Sequence, residues 1–288
     1  MNRFKHQFPV EKMARVFRVS KSSYYYWQSH QVGKWEQTNA PIVHQIRSIH
    51  AISKQTYGSP RISRELQKRG WLVSRPRVAR LMKQAGIRSI LKKKFVVTTD
   101  SSNTVRRFDN LLDRDFAPGQ TGRVWVSDIT YIATQQGWSY LTTILDLGDR
   151  KVIGWRLSRS LRAADTVLPA WRSAVSTRPL TGPLIFHSDQ GVQYGCDAVM
   201  AEVTKDRRVT QSMSRKGDCW DNAVAESFFK TLKCEWTNLN TYRDHHQAEL
   251  SIFEYIESFY NTKRAHSSLG YLSPDEYTAH QLIKTNAA

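Results

Sequence analysis

Residues 123–133 (Arg-Val-Trp-Val-Ser-Asp-Ile-Thr-Tyr-Ile-Ala) alternate apolar and polar side chains with a period of two, and no other feature restricts the fold as much as this run and the elements downstream of it. Trp138 to Leu147 predicts a second strand and Lys151 to Leu157 a third, joined at Gly148-Asp149, which makes an antiparallel meander. The pattern then changes period. Val167, Leu168, Trp171 and Val175 recur at helical spacing within 163–176, and Leu184 to His187 is a short apolar run suited to a buried parallel strand. Residues 197–206 predict a helix, Val209 to Met213 a fifth strand, and 221–236 and 243–261 two further helices.

The resulting order, βββαβαβαα, is that of an α/β RNase H-like (integrase) core with a mixed five-stranded sheet. All-α helix-turn-helix modules precede it. In the first, Val10, Met13, Ala14 and Phe17 form one apolar face, 17–20 turns, and Ser20 caps a helix over 21–28. Residues 29–41 are polar, end in Pro41 and read as a linker. In the second module Ile42, Ile46 and Ile49 share a helix face, 61–69 form a helix with Ile62 and Leu66 inward, and Ser74 caps a third helix with Val78, Leu81, Met82 and Ala85 inward. Arg75, Arg77, Arg80 and Lys83 occupy the outer side of that helix, which suits a DNA major groove. The division expected is 1–40 small helix-turn-helix and linker, 41–92 basic helical module, 93–119 linker, 120–280 catalytic core, and 281–288 tail.

Charge follows the same division. Residues 1–100 hold 21 Lys or Arg against 4 Asp or Glu, so nearly all of the chain's net +18 lies there. A basic block joined to a near-neutral one implies a nucleic-acid-binding arm on a separate domain. Lys92, Lys93 and Lys94 extend it as phosphate contacts. Cys196, Cys219 and Cys234 form no CxxC pair, which argues against a disulfide framework. With no membrane-length apolar run and no secretory segment, a cytoplasmic protein is expected, associated with the nucleoid when on DNA.

Three carboxylates have the setting that phosphoryl transfer needs: Asp128 within the first strand, Asp189 at the end of the fourth, and Glu226 on the following helix. Strands one and four as neighbours would bring the aspartates together. Hard oxygen donors in such a cluster select Mg²⁺ or Mn²⁺, and a pair of ions would activate the attacking oxygen and stabilise the leaving one. Asp146, Asp149 and Asp221 are the decoys, with Asp221 expected to cap the Glu226 helix.

The segments around these residues (Trp125-Val-Ser-Asp-Ile-Thr-Tyr131, His187-Ser-Asp-Gln-Gly-Val-Gln-Tyr194, the stretch Gln211 to Ala223, and Glu226-Ser-Phe-Phe-Lys-Thr-Leu-Lys233) resemble the second-frame (OrfB) transposases of the IS-three insertion-sequence family, whose core is similar to retroviral integrase. Tyr57 to Arg61, Val73-Ser74-Arg75, Leu81-Met82 and the tail around Tyr260-Asn261, Arg264, His266 and 269–274 extend the likeness over nearly the whole chain. Asp189 and Glu226 are separated by 36 residues, one more than is usual in the family. The retroviral zinc module is absent.

The resemblance implies an enzyme that cleaves at insertion-sequence ends and transfers the 3′ hydroxyl into DNA. Asp128, Asp189 and Glu226 would serve as catalytic residues and metal ligands for two ions. Its partners would be double-stranded DNA, further copies of the chain, and an upstream-frame DNA-binding protein joined by fusion or association. It gives Lys233 a contact near the cleaved end, Arg215 and Lys216 phosphate contacts from a flexible loop, and Gln190 and Tyr194 a part in shaping the DNA-end pocket. His187 fits packing at the strand end better than metal ligation. For Arg264 and His266, DNA contact and ordering of the C-terminal turn both stand. An RNase H-like nuclease without strand transfer and an inactive DNA-binding regulator are the alternatives.

Overall fold

The computed structural model describes residues 1–29, 34–90, 108–216 and 218–286, in two compact units, Met1–Ser89 and Ile90–Ala288.

The first unit is helical: α1 (Val10–Val16), α2 (Lys21–Ser29), α3 (Lys34–Ile52), α4 (Ser59–Lys68) and α5 (Arg75–Gln84). The Ser20 hydroxyl accepts the Ser23 amide at 3.0 Å, so Ser20 caps α2 as its sequence predicts. Ser74 stands at the cap position of α5 without a side-chain cap bond. The expected linker is partly helix: α3 starts at Lys34, and Pro41 lies inside it. Proline removes one amide donor, but Ile42, Ile46 and Ile49 just beyond it are buried and anchor the helix. Those isoleucines belong with Ile62, Leu66, Val78, Leu81 and Met82 to the same unit's buried core. At roughly 1.5–3 kcal/mol per buried aliphatic side chain, this set outweighs one missing hydrogen bond. Gly70 ends α4 at φ 82°, where Trp71 N bonds Leu66 O at 2.9 Å and Gly70 N bonds Gln67 O at 2.9 Å, a helix stop that only glycine adopts freely.

The second unit holds β1 (Val124–Thr134), β2 (Gly137–Asp146), β3 (Val152–Ser158), α6 (Val167–Thr177), β4 (Leu184–Ser188), α7 (Asp197–Val203), β5 (Val209–Met213), α8 (Ala223–Glu235), α9 (His245–Tyr255) and α10 (Pro274–Asn286). The sheet order is β3-β2-β1-β4-β5. β1, β2 and β3 pair antiparallel, whereas β1–β4 and β4–β5 are parallel. That is the mixed five-stranded RNase H-like sheet expected. Trp125, Ile144, Ile153, Val167, Trp171 and Phe186 are among the residues of its main core. α6 lies so close to β3 that a Cβ on Gly154 would stand 2.4 Å from the Ala170 carbonyl oxygen. Glycine is therefore what lets the crossover helix seat on the sheet.

After α9 a π-helical turn, Ile256–Tyr260, leads to Asn261. Its side-chain amide takes the place of a strand neighbour: Val152 N donates to Asn261 Oδ1 at 3.0 Å, and Asn261 Nδ2 donates to Val152 O at 2.9 Å. α10 is an element that the sequence pattern does not announce, and it crosses the expected start of the tail at 281. Ser273 and Glu276 bond each other's backbone amides at its start, Glu276 Oε2 accepting at 2.8 Å and Ser273 Oγ at 3.2 Å, a reciprocal cap.

Candidate active site

The last registered pair of β1 and β4 is Ser127 with Ser188. Asp128 and Asp189 are the next residue on each chain. Parallel neighbours are about 4.8 Å apart. Side chains alternate between faces, so the two aspartates share a face opposite to that of the two serines. Asp128 Oδ1 accepts the Ile129 amide at 2.8 Å, and Asp189 Oδ1 accepts the Gly191 amide at 3.0 Å. A Cβ at Gly191 would stand 2.9 Å from Asp189 Oδ1, so the carboxylate fits there because residue 191 is glycine.

Glu226 lies in the first turn of α8. Two features bring that turn to β1. Asn222 Nδ2 donates to Ser127 O, beside Asp128, at 3.1 Å, and Phe228, Phe229 and Leu232 are buried. Burial pushes the Asp128 pKa well up, and the charges of Asp189 and then Glu226 push it further. Burial also raises Asp189, against the Gly191 hydrogen bond, and raises Glu226, which in addition feels Asp189. Lys233, two helical turns beyond Glu226, is half-buried; burial lowers its pKa, and the charge of Asp128 opposes that. The charge of Lys233 thus acts on Asp128, which Asp189 and Glu226 repel.

Among the described residues, no three His, Cys, Asp or Glu side chains are gathered closely enough to hold a metal ion as they stand. The carboxylates are nevertheless close enough to shift one another's ionisation. Their donor set is oxygen only and short of positive charge, which fits hard divalent cations.

The chain matches the integrase core domain over residues 118–219 and again, through a second family of that name, over 207–274, and an HTH-like domain over 36–95. An insertion element IS600 protein of 31 kDa from Shigella sonnei is 39% identical, over 91% of this chain and 96% of its own. Transposase InsF for insertion sequence IS3A from Escherichia coli K12 is 34% identical, over 95% and 96%. The solved catalytic core of BIV integrase is 15% identical with a TM-score of 0.41, covering 57% of this chain and 99% of that one. The chain belongs to the IS3-family transposases. It is a DNA transposase of the integrase-core type.

The neighbours of the carboxylates sort differently from expectation. Asp221 does not cap α8. It is fully buried, and its carboxylate accepts from Arg215 (N at 2.9 Å, Nε and Nη2 each at 2.8 Å) and from Arg114 Nε at 2.9 Å. The Arg215 hydrogen bonds, then that of Arg114, hold its pKa far below the usual carboxylate range. Arg215, expected on a flexible loop, is therefore tied down, and Lys216 beside it is exposed. Arg114 carried no signal in the sequence, because its partners Asp218 and Asp221 are more than a hundred residues away.

Tyr194 is buried, and its hydroxyl bonds Ser127 Oγ, beside Asp128, at 2.8 Å. Gln190 Nε2 donates to Ser214 O at 2.8 Å. His187 is buried between Ser212 Oγ at 2.9 Å and Ser214 Oγ at 3.2 Å, and burial pushes its pKa down to about 4, which fits a neutral structural imidazole. Asp146 and Asp149 share Arg178, whose guanidinium donates to both at 2.6 Å. Arg264 is buried and holds Glu235 through two 2.7 Å bonds, so of its two readings the ordering role is the one observed.

On α5, Arg75, Arg80 and Lys83 are exposed. Arg77 instead turns back on Asn39 Oδ1, through Nε at 3.1 Å and Nη2 at 2.8 Å. Lys92, Lys93 and Lys94 lie outside the described residues.

Proposed function

We propose that this transposase cleaves DNA at insertion-sequence ends and joins the freed 3′ hydroxyl to a target strand, with Asp128, Asp189 and Glu226 as its catalytic carboxylates. The observation that carries this reading is the register Ser127–Ser188, which sets two aspartates side by side with Glu226 within electrostatic reach. The three carboxylates would hold Mg²⁺ or Mn²⁺, two ions per site; bound there, the ions activate the attacking oxygen and stabilise the leaving one. Asp128 and Asp189, fixed by backbone amides on adjoining strands, form the rigid half of the site. Glu226, on a helix turn tethered through Asn222, forms the other half. Lys233 offsets part of the negative charge and sits where a terminal phosphate would meet it. Rigid placement matters because phosphoryl transfer depends on positioning and charge stabilisation more than on covalent catalysis.

Arg75, Arg80, Lys83 and Lys216 would contact phosphates, with Lys92, Lys93 and Lys94 adding charge. Joining two ends in one event calls for more than one active site, hence a homo-oligomer on DNA, with an upstream-frame protein as a further partner. Among the described residues no helix is long and apolar enough to cross a membrane, and action on DNA fits a cytoplasmic, nucleoid-associated protein. The test is strand transfer with the element's own ends and Mg²⁺. Asp189→Asn should abolish cleavage and joining while DNA binding persists; joining by that variant refutes the assignment, and nicks without joined products from the natural protein favour a plain nuclease.

A further inference from the structure

The turn that opens α8 is held by residues from a distant part of the chain. Segment 108–117 lies against β5: Met213 N donates to Asp109 O at 3.4 Å, Leu111 N donates to Ser212 Oγ at 2.9 Å, and Leu112 is buried. Ser212 Oγ is also the partner of His187, two residues before Asp189. At the end of this segment Asp113 and Arg114 adopt φ 37° and 63°, two consecutive non-glycine residues in the left-handed region. Such backbone is strained and persists where surrounding contacts impose it.

The contacts made there are specific. Arg114 donates to buried Asp221 through Nε and pairs through Nη2 with Asp218. Asp113 pairs with Arg215 at 3.4 Å, and Arg215 in turn grips Asp221. Asp218 Oδ1 accepts the Trp220 amide at 3.3 Å. Asn222, directly after Asp221, bonds the Ser127 carbonyl beside Asp128. Arg114, Arg215, Asp218 and Asp221 are thus committed to one arrangement, which ends five residues before Glu226.

We propose that Arg114 is a positioning residue for Glu226, acting through Asp221 to fix the turn from which α8 starts. The proposal rests on the assignment of the three carboxylates as the metal-binding site. Arg114 touches neither DNA nor the reacting atoms in this role. Its loss leaves Asp221 gripped on one side only, and the first turn of α8 gains freedom relative to β1. A misplacement of about 1 Å in a catalytic group costs up to about a hundredfold in rate.

The experiment compares the natural protein with Arg114→Ala, Arg114→Lys and Asp189→Asn. Joining of pre-cut element ends is measured at saturating DNA, with DNA affinity, thermal midpoint and Mn²⁺ binding by electron paramagnetic resonance. Arg114→Ala is expected to join about 10- to 100-fold more slowly, to need more Mn²⁺ for half-occupancy, to bind DNA as the natural protein does, and to melt at a lower temperature that still leaves it fully folded in the assay. Arg114→Lys restores part of both losses. Natural joining and Mn²⁺ binding by Arg114→Ala overturn the proposal. So does a rate loss that tracks only a lowered folded fraction. If Asp189→Asn joins DNA, the carboxylate assignment itself falls; if Asp189→Asn is inactive and Arg114→Ala is normal, only the positioning role falls.

Discussion

Replacing Asp128 by Asn should stabilise the protein in the absence of metal, although it destroys activity. The Asn side-chain oxygen can still accept the Ile129 amide, so the hydrogen bond survives. What disappears is a half-buried charge repelled by Asp189 and Glu226 and attracted by Lys233. Two unit charges about 5 Å apart interact with about 3 kcal/mol at an effective dielectric of about 20. The Lys233 attraction and partial protonation of the carboxylates cancel much of this. A net gain of about 1 kcal/mol is expected, within the range seen when functional strain is relieved, and each such kcal/mol raises the melting midpoint by about 2–4 °C in a domain of this size.

The pH dependence has a definite sign. A carboxylate whose folded pKa is raised takes up its proton more readily when folded, so acidification from neutrality relieves its penalty, and rising pH through the folded pKa restores it. The advantage of Asp128→Asn should therefore be largest at neutral pH and shrink as pH falls toward the ordinary aspartate value of 3.8. The assay is thermal melting in chelator and in Mg²⁺. The natural protein should gain stability from Mg²⁺ and Asp128→Asn should gain little. A variant less stable than the natural protein in chelator, or equally stabilised by Mg²⁺, refutes the reasoning.

Three other expectations concern the surrounding structure. Arg264→Met leaves Glu235 charged and buried with the Tyr255 hydroxyl at 3.0 Å, and should cost about 3–5 kcal/mol in denaturant unfolding; a loss near zero would show that the pair is dispensable. The His187 imidazole should titrate by NMR with a midpoint of about 4, not near 6.5, and since unfolding releases it to its ordinary value, its contribution to stability falls as pH drops from 6.5 toward 4. Arg75→Ala and Lys83→Ala should each reduce the salt dependence of DNA binding by about 0.9 in log–log slope, whereas Arg77→Ala should lower the stability of the helical unit through loss of the Asn39 contact.

The strands were legible because most run through apolar or alternating stretches, and β5, bounded by Val209 and Met213, begins and ends where the sequence places it. Asp128 and Asp189 drew notice because one interrupts and the other follows such a strand, and Glu226 because it lies in the first turn of a helix. Side chains whose partners lie far away were not. Arg215 reads locally as a free cation and Asp221 as a cap, yet they pair with each other and with Arg114. Pro41 reads as a break, yet the buried isoleucines beyond it hold the helix together. Local rules apply to propensity and capping; ion pairs across about a hundred residues of chain obey only the finished packing.

Anomalous scattering from crystals grown with Mn²⁺ tests the central claim most directly. Ion density is expected at roughly 2.0–2.6 Å from carboxylate oxygens of both Asp128 and Asp189, with Glu226 completing the site. Saturating Mn²⁺ found elsewhere in a crystal of active protein, with those carboxylates unligated, would contradict it.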